Sequence, residues 1–381
     1  MIKLCYITTV PITIETFIMD CAKYLMSTND YDITFVCDYN EEFAKKVPAN
    51  IKYHPIKMAR GISLGGFKAT YQMYKFLKKE KFDIVQYSTP NASCYASIAS
   101  RMARIPVRLY CQWGIAYVGF SGIKRKIFKL LEKLTCLNST VIEPDSYGNL
   151  NFSNHEGLYS LNKGHVVGSG SASGVSFDKF DISKKEEWKK EYSEKYNICD
   201  SHFVYGFVGR IDKDKGFNEL LDAYYQVKDE DTKLIIVGPD DKNDTVDQEL
   251  LNKAKNDESV IFTGRTSTVE KYLSIMNVFI LPSYREGFGS VVIEAQSMGV
   301  PVIVSNIPGP TDAMDTSTGL IVKVKDSNDL AKAMDKLKKD RNLLNELSNN
   351  CVAFAKKFDN KILFDLIDQD RKSLINSHDN K

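Results

Sequence analysis

Twice in the second half of this 381-residue chain, an apolar run of strand length breaks into a charged, glycine-containing loop and passes directly into a helix-patterned segment. The first unit is Phe203-Val204-Tyr205-Gly206-Phe207-Val208-Gly209, which opens onto Arg210-Ile211-Asp212-Lys213-Asp214-Lys215-Gly216 and the segment Phe217 to Val227. The second is Val278-Phe279-Ile280-Leu281, ending in Pro282-Ser283 and followed by E-G-F-G-S-V-V-I-E from Glu286 to Glu294. Ala295 to Met298 then lead to Gly299 and Pro301, a helix stop. Wholly apolar strands suit a sheet covered on both faces, and a strand–loop–helix order supplies the crossovers that parallel strands need.

The chemistry of these loops follows from their place in such a sheet. Arg210 and Lys215 stand beyond the carboxyl end of a strand, where open α/β sheets bind ligands. Their charges are what an anionic leaving group needs. Glu286 lies on the second loop, and Glu294 about one turn into the helix, with Ser290 expected as its N-cap. The backbone N–H groups of Gly289 to Val292 would then lack helical partners, at the positive end of the helix dipole. An anion site flanked by two carboxylates suits a diphosphate with a sugar on each side. The glycines let backbone N–H groups approach such a ligand closely.

The first half alternates in the same way. Strands are predicted at Ile2–Thr8, Ile33–Cys37, Ile84–Tyr87, Val107–Cys111 and Thr140–Glu143. Helices are predicted at Thr13–Ser27, Leu64–Lys79, Ala92–Ala103 and Ile123–Cys136. Gly168-Ser-Gly-Ser-Ala-Ser-Gly174 has one residue too many before its last glycine for a dinucleotide fingerprint, so it reads as a linker. The second half restarts the alternation, with strands near 203–208, 233–237, 260–262, 278–281, 301–304 and 320–322 and a helical tail from about Ser327. This predicts two doubly wound α/β domains: 1–172, joined by a terminal helix from about 360 to 381, and 173–359.

In G-R-I-D-K-D-K-G at 209–216, F-T-G-R at 262–265, P-S-Y-R-E-G-F-G-S-V-V-I-E-A at 282–295 and the weaker G-V-S-F-D-K-F at 174–180, the chain resembles the family-4 glycosyltransferases. The resemblance implies the GT-B fold, two Rossmann-like domains facing a cleft, with the last helix (Asn360 to Ile375 is a candidate) crossing back to the first domain. It implies a retaining, metal-independent transfer from a nucleotide-diphosphate sugar, expected to be UDP-linked, with no other cofactor. Arg210 and Lys215 would then neutralise the departing diphosphate and Glu294 would bond the ribose hydroxyls. Glu286 and the amides of Gly287, Phe288 and Gly289 would hold the sugar. Gly209, Ser290 and Val291 belong to the same donor surface, and Gly264 and Arg265 lie where the base would sit. In the first domain the resemblance points to Thr9, Gln112 and Trp113 for the acceptor. Two departures stand out. Thr8-Thr9-Val10-Pro11-Ile12-Thr13 lacks the glycines many members carry there, and Gln112 or Trp113 replaces their usual histidine.

Charge narrows the acceptor. Lys52 to Lys133 hold 16 Lys and Arg against three acids, although the whole chain is only +2. From Ser121 to Lys133, cations Lys124, Arg125, Lys126 and Lys129 interleave with Ile123, Ile127, Phe128 and Leu131, a composition for an anionic lipid surface rather than nucleic acid, with a solvated basic face as the alternative. A polyprenyl-diphosphate-linked saccharide of bacterial capsule or O-antigen synthesis is the expected acceptor. No apolar run reaches membrane-spanning length, and Met1 to Val10 reads as a strand rather than a signal peptide. The eight cysteines are scattered and read as reduced and mostly buried. The expected location is therefore cytoplasmic, peripheral on the inner membrane face. Asp240-Asp241 reads as part of a turn and helix cap rather than a metal motif, and no metal is expected. Two other readings remain open at this stage: a GT-B epimerase, which would want acid–base carboxylates and histidines around the donor, and a non-catalytic glycan- or nucleotide-binding subunit.

Overall fold

The computed structural model describes residues 1–58, 64–240 and 245–379. The chain forms two compact units, Met1–Ser173 with Lys361–Lys381, and Gly174–Asn360. The first unit carries strands β1 (Ile2–Ile7), β2 (Tyr31–Val36), β3 (Lys52–Tyr53), β4 (Ile84–Tyr87), β5 (Val107–Gln112) and β6 (Val141–Pro144). They pair in the order β3-β2-β1-β4-β5-β6, all parallel. The second carries β7 (Phe203–Val208), β8 (Thr232–Val237), β9 (Val260–Gly264), β10 (Val278–Leu281), β11 (Val302–Ser305) and β12 (Gly319–Val322). Their order is β12-β11-β10-β7-β8-β9, again all parallel. Each sheet is doubly wound and reverses direction once, between β1 and β4 and between β7 and β10, and ligands of such sheets bind beyond the carboxyl ends of those two strands.

The apolar runs are explained by burial on both faces. Along β1, Leu4 and Tyr6 enter one core cluster while Cys5 and Ile7 enter the other. Along β10, Val278 and Ile280 face one cluster while Phe279 and Leu281 face its counterpart. Strand side chains alternate, so helices on both sides of the sheet require every position to be apolar.

The helix Asn360–Asp379 begins where the second unit ends and is built into the first. Its Leu363, Phe364 and Ile367 join the cluster of Leu4 and Tyr6. Arg371 is 1% exposed. Its guanidinium donates to Glu143 (2.5 and 3.1 Å), Asp370 (2.6 Å) and Gln86 (3.1 Å). Asp370 also meets His165 at 2.7 Å, and Tyr31 donates to Asp368 at 2.7 Å. Glu143, His165 and Asp370 have donor atoms close enough together for a metal ion, but Arg371 already supplies the cation.

Local details depart from the sequence reading. The helix expected over Thr13–Ser27 is two, Pro11–Phe17 and Met19–Ser27, parted at Ile18 (φ −120°). Strand β3 and the helices Glu41–Lys46, Tyr147–His155 and Lys185–Lys195 were not anticipated. At Gly174, φ is +66° and a Cβ would lie 2.6 Å from the Phe358 carbonyl oxygen, so this position requires glycine. Among the described residues no helix is long and apolar enough to cross a membrane.

Candidate functional site

Beyond β7, the guanidinium of Arg210 is exposed and lies 3.2 Å from the Asp212 carboxylate. Asp212 caps the short turn Lys213–Lys215 by accepting from Asp214 N–H at 2.9 Å. Gly216 then opens the helix Phe217–Val227 with φ +69°. A Cβ on Gly216 would fall 2.0 Å from the Pro282 carbonyl oxygen, so the loops after β7 and β10 touch at backbone level.

Side chains fasten the same contact. Lys215 Nζ lies 2.6 Å from Glu286 Oε1, and Ser283 Oγ donates to that oxygen at 2.7 Å. Arg285 donates to Asp214 through Nε and Nη2 at 2.9 and 2.7 Å. Tyr284 donates through its hydroxyl to Glu219 at 2.6 Å and through its N–H to the Asp214 carbonyl at 2.8 Å. Lys215 and Glu286 are 23% and 11% exposed at the side chain, so this pair is shielded where Arg210 is not. The sequence reading named Lys215 and Glu286 separately; the structure joins them. Ser283, Asp214 and Arg285 are not singled out by the sequence: Asp214 and Arg285 pair across the two loops, while Ser283 meets Glu286 within its own.

The second loop ends at Gly289, which itself occupies the N-cap position with φ +83°. Ser290 is therefore the first residue of the helix Ser290–Ser297 rather than its cap. Val292 N–H turns back to the Gly289 carbonyl at 2.8 Å, so it does not join the unpartnered amides expected there. Gly287 is backed by Gly309, where a Cβ would lie 2.0 Å from the Gly287 carbonyl oxygen. Phe288 is buried, its ring 5.3 Å from Phe358, which leaves its backbone alone for a ligand. Val291 is half-buried beside Ser290.

Glu294 is half-buried on this helix. Desolvation pushes its carboxyl up to about 7, with Lys179 pulling it down and Glu270 pushing it further up. Lys179 Nζ stands 3.9 Å from the buried Glu270 carboxylate. Gly209 is half-buried at the end of β7, while Gly264 (φ +70°) and Arg265 are exposed at the end of β9. Asp240 pairs with Lys255 at 2.5 Å, and Asp241 to Asp244 lie outside the described residues.

In the first unit the equivalent crevice, beyond β1 and β4, is lined by hydroxyls. Thr89 Oγ1 accepts from Thr9 N–H at 3.1 Å and lies 2.8 Å from Thr9 Oγ1. Thr89 has φ +71°, a strained conformation for a β-branched residue. Sequence reading did not single it out, although a Thr-Pro step following a strand at the switch point was there to find. Gln112 is fully buried. Its Nε2 donates to Glu132 at 2.6 Å, and its Oε1 accepts from Ser153 (2.8 Å) and Tyr159 (3.2 Å). It is a core residue, not a surface that an acceptor reaches. Trp113 packs its ring 5.7 Å from Phe17.

The basic helix is Gly122–Asn138. Ile123, Ile127, Leu130, Leu134 and Leu137 are exposed along one face, at alternating steps of four and three. Lys124, Lys126 and Lys133 are exposed beside them. Arg125 and Lys129 instead turn to Glu156, at 4.0 and 2.7 Å. The Lys129 ammonium holds the Glu156 carboxyl below its usual range. Phe128 and Leu131, expected on the outer face, are half-buried and point inward.

Two family models match the chain: "Glycosyl transferases group 1" over 188–357 and "Glycosyl transferase 4-like" over 3–145. The capsular polysaccharide biosynthesis glycosyltransferase CapM of Staphylococcus aureus is 31% identical over 85% of this chain and 84% of its own length. The N,N'-diacetylbacillosaminyl-diphospho-undecaprenol alpha-1,3-N-acetylgalactosaminyltransferase of Campylobacter jejuni is 27% identical over 87% and 89%. Among solved structures, Anabaena HepE in complex with UDP and glucose superposes with a TM-score of 0.80 at 18% identity, over 98% of this chain and all of its own. With two doubly wound sheets and the β7/β10 loops in place, the chain belongs to the group 1 glycosyl transferases: it is a glycosyltransferase of GT-B fold, related to enzymes of capsule and lipid-linked saccharide synthesis.

Proposed function

We propose that the protein transfers a sugar from UDP-sugar to a polyprenyl-diphosphate-linked saccharide, with retention and without a metal ion. The observation that carries this is the Lys215–Glu286–Ser283 junction between the β7 and β10 loops, beside Arg210 and the glycine-opened helix at Ser290. Arg210 and Lys215 meet the diphosphate, Glu286 with the backbone of Gly287 to Gly289 holds the sugar, and the Glu294 carboxylate accepts from the ribose hydroxyls. Gly264 and Arg265 flank the base. In the reaction the bond from the anomeric carbon to the diphosphate oxygen breaks, and the acceptor oxygen bonds that carbon on the same face. The acceptor proton passes to the departing diphosphate. The two cations act on charge that develops in this step, which is where preorganised groups contribute most. Thr9, Thr89 and Trp113 are the candidates to meet the acceptor.

The relatives support the choice of ligands: HepE was crystallised with UDP and glucose, and the Campylobacter relative is named for an undecaprenol-diphosphate substrate. Lys124, Lys126 and Lys133, beside the exposed apolar stripe, would hold the first unit on anionic lipid, consistent with a peripheral protein. A screen of nucleotide sugars for UDP release, with and without a polyprenyl-diphosphate saccharide, tests the reaction. NMR of the product reads its anomer. Release that needs no acceptor, an inverted product, or activity abolished by EDTA and restored by Mn²⁺ would each overturn the corresponding part.

A further inference from the structure

We infer that the first unit receives a short stretch of the hydrocarbon chain of its acceptor lipid in an apolar pocket between the helices Leu64–Glu80, Pro90–Met102 and Gly122–Asn138. The inference rests on the reading of the acceptor as lipid-linked and adds where the lipid goes. The pocket holds about 250 Å³, with Phe67, Ile98, Phe128, Leu131 and Leu134 among its walls. Three of the polar groups that line it are already engaged. Thr70 Oγ1 donates to the Gly66 carbonyl at 2.8 Å, and Thr135 Oγ1 to the Leu131 carbonyl at 3.0 Å. Glu132 is buried and accepts from Tyr110 (2.9 Å) and Gln112 (2.6 Å), so that oxygen is directed into the core. Such walls give water few partners and favour an apolar occupant.

The rim selects which one. Phe67 (75% exposed) and Leu134 (37%) line the pocket and also stand at the surface. From Leu134 the exposed stripe runs along its helix, and on the other side Tyr71 is exposed with Lys75 over its ring at 4.6 Å. Lys124 lies over the Phe120 ring at 4.1 Å. Cations outside and hydrocarbon inside complement a polyisoprenoid diphosphate, whose charge stays wet while its chain is buried. A bilayer surface alone would account for the stripe but not for a pocket leading inward. A peptide would bring backbone N–H and C=O groups that these engaged side chains leave unsatisfied.

Binding of farnesyl diphosphate, geranyl diphosphate and inorganic diphosphate to the full chain tests this. The farnesyl compound should bind at least tenfold more tightly than inorganic diphosphate, with geranyl between, since each buried methylene contributes a factor of about four. Thr70→Phe, which fills the pocket, and Leu134→Glu, which charges its exposed mouth, should each erase that preference without changing affinity for UDP. Ile123→Glu, on the stripe but outside the pocket, should weaken adsorption to anionic vesicles and leave farnesyl diphosphate affinity intact. Equal affinity for farnesyl and inorganic diphosphate, or an Ile123→Glu variant that loses the preference as fully as Leu134→Glu, overturns the pocket. UDP release with a saccharide on a short soluble anchor reports the transferase reading separately. If that release persists while chain preference is absent, only the pocket falls.

Discussion

The two units share one strand order and use charge in opposite ways. In the second, charged side chains converge on the switch point, where Lys215 meets Glu286, Arg285 meets Asp214, and Arg210 stays exposed. In the first, the switch point is lined by the hydroxyls of Thr9 and Thr89, and the buried charges cluster instead around Arg371 on the terminal helix. A doubly wound sheet presents a crevice wherever its winding reverses, but the fold does not decide what chemistry lines it. Charge near solvent can act on a ligand, whereas the charge around Arg371 is already spent on holding a helix in place.

This contrast can be broken most easily at Arg371. Arg371→Ala leaves the buried Glu143 without its cation and the half-buried Asp370 with His165 alone, a loss of about 3–5 kcal/mol. Denaturant unfolding should show the first unit lost or strongly destabilised, while the second still binds UDP. If the first unit stays as stable as wild type, the network is not structural. At the other switch point, Arg210→Ala should leave stability nearly unchanged, Lys215→Ala should cost some stability because Glu286 loses its shielded partner, and each should lower turnover by about 10²–10³. Glu286→Gln should also impair turnover. Because Lys215 and Glu286 share a 2.6 Å contact, the double variant should lose less than the two single losses combined. Additive losses would separate their roles.

Smaller effects sharpen the picture. Gly309→Ala must place a Cβ where the Gly287 carbonyl now lies, at φ +94°, and should cost about 1–3 kcal/mol and weaken UDP binding. Intact UDP affinity would show that the backbone of Gly287 does not meet the donor. Glu294 tests the pH dependence. Its carboxyl is raised from an ordinary 4.5 to about 7, so its contribution to stability is present below 4.5 and is lost as pH rises through 7. Thermal melts should therefore show Glu294→Gln gaining on wild type between pH 5 and 8. Wild-type UDP affinity should rise over the same range as the ribose-binding carboxylate ionises, and the Gln variant should lose that dependence. Asp240→Asn breaks a partly exposed pair with Lys255 and should change turnover and stability little. A loss comparable to Lys215→Ala would reopen that loop as part of the site.

Much of the fold was legible because strands covered on both faces cannot alternate, so eleven of the twelve described strands stand out as largely apolar runs between turn signals. Strand β3 was not, since two residues at a sheet edge carry no period. The break at Ile18 was not either, because residues on both sides are compatible with one continuous helix. Arg210, Lys215, Glu286 and Glu294 could be named from loop chemistry, but Ser283 as a partner of Glu286, and Arg285 as a partner of Asp214, could not. Gln112 was named because it falls where the family's usual histidine would stand, and only Glu132, Ser153 and Tyr159 reveal that its amide is satisfied inside.

The basic helix marks the boundary between the two kinds of information. Its sequence determined an amphipathic, cationic segment, and the loops after β7 and β10 likewise carried their glycines and charges in plain view. Which side of that helix faces water was undetermined, because Ile123, Ile127, Leu130, Leu134 and Leu137 form one apolar stripe while Phe128 and Leu131 contribute to another. Only packing against the helices Leu64–Glu80 and Pro90–Met102 turned Phe128 and Leu131 inward and left the first stripe outside. Periodicity is local and comes from one segment, whereas a pocket, an ion pair across 71 residues or a buried arginine needs the positions of elements distant in sequence.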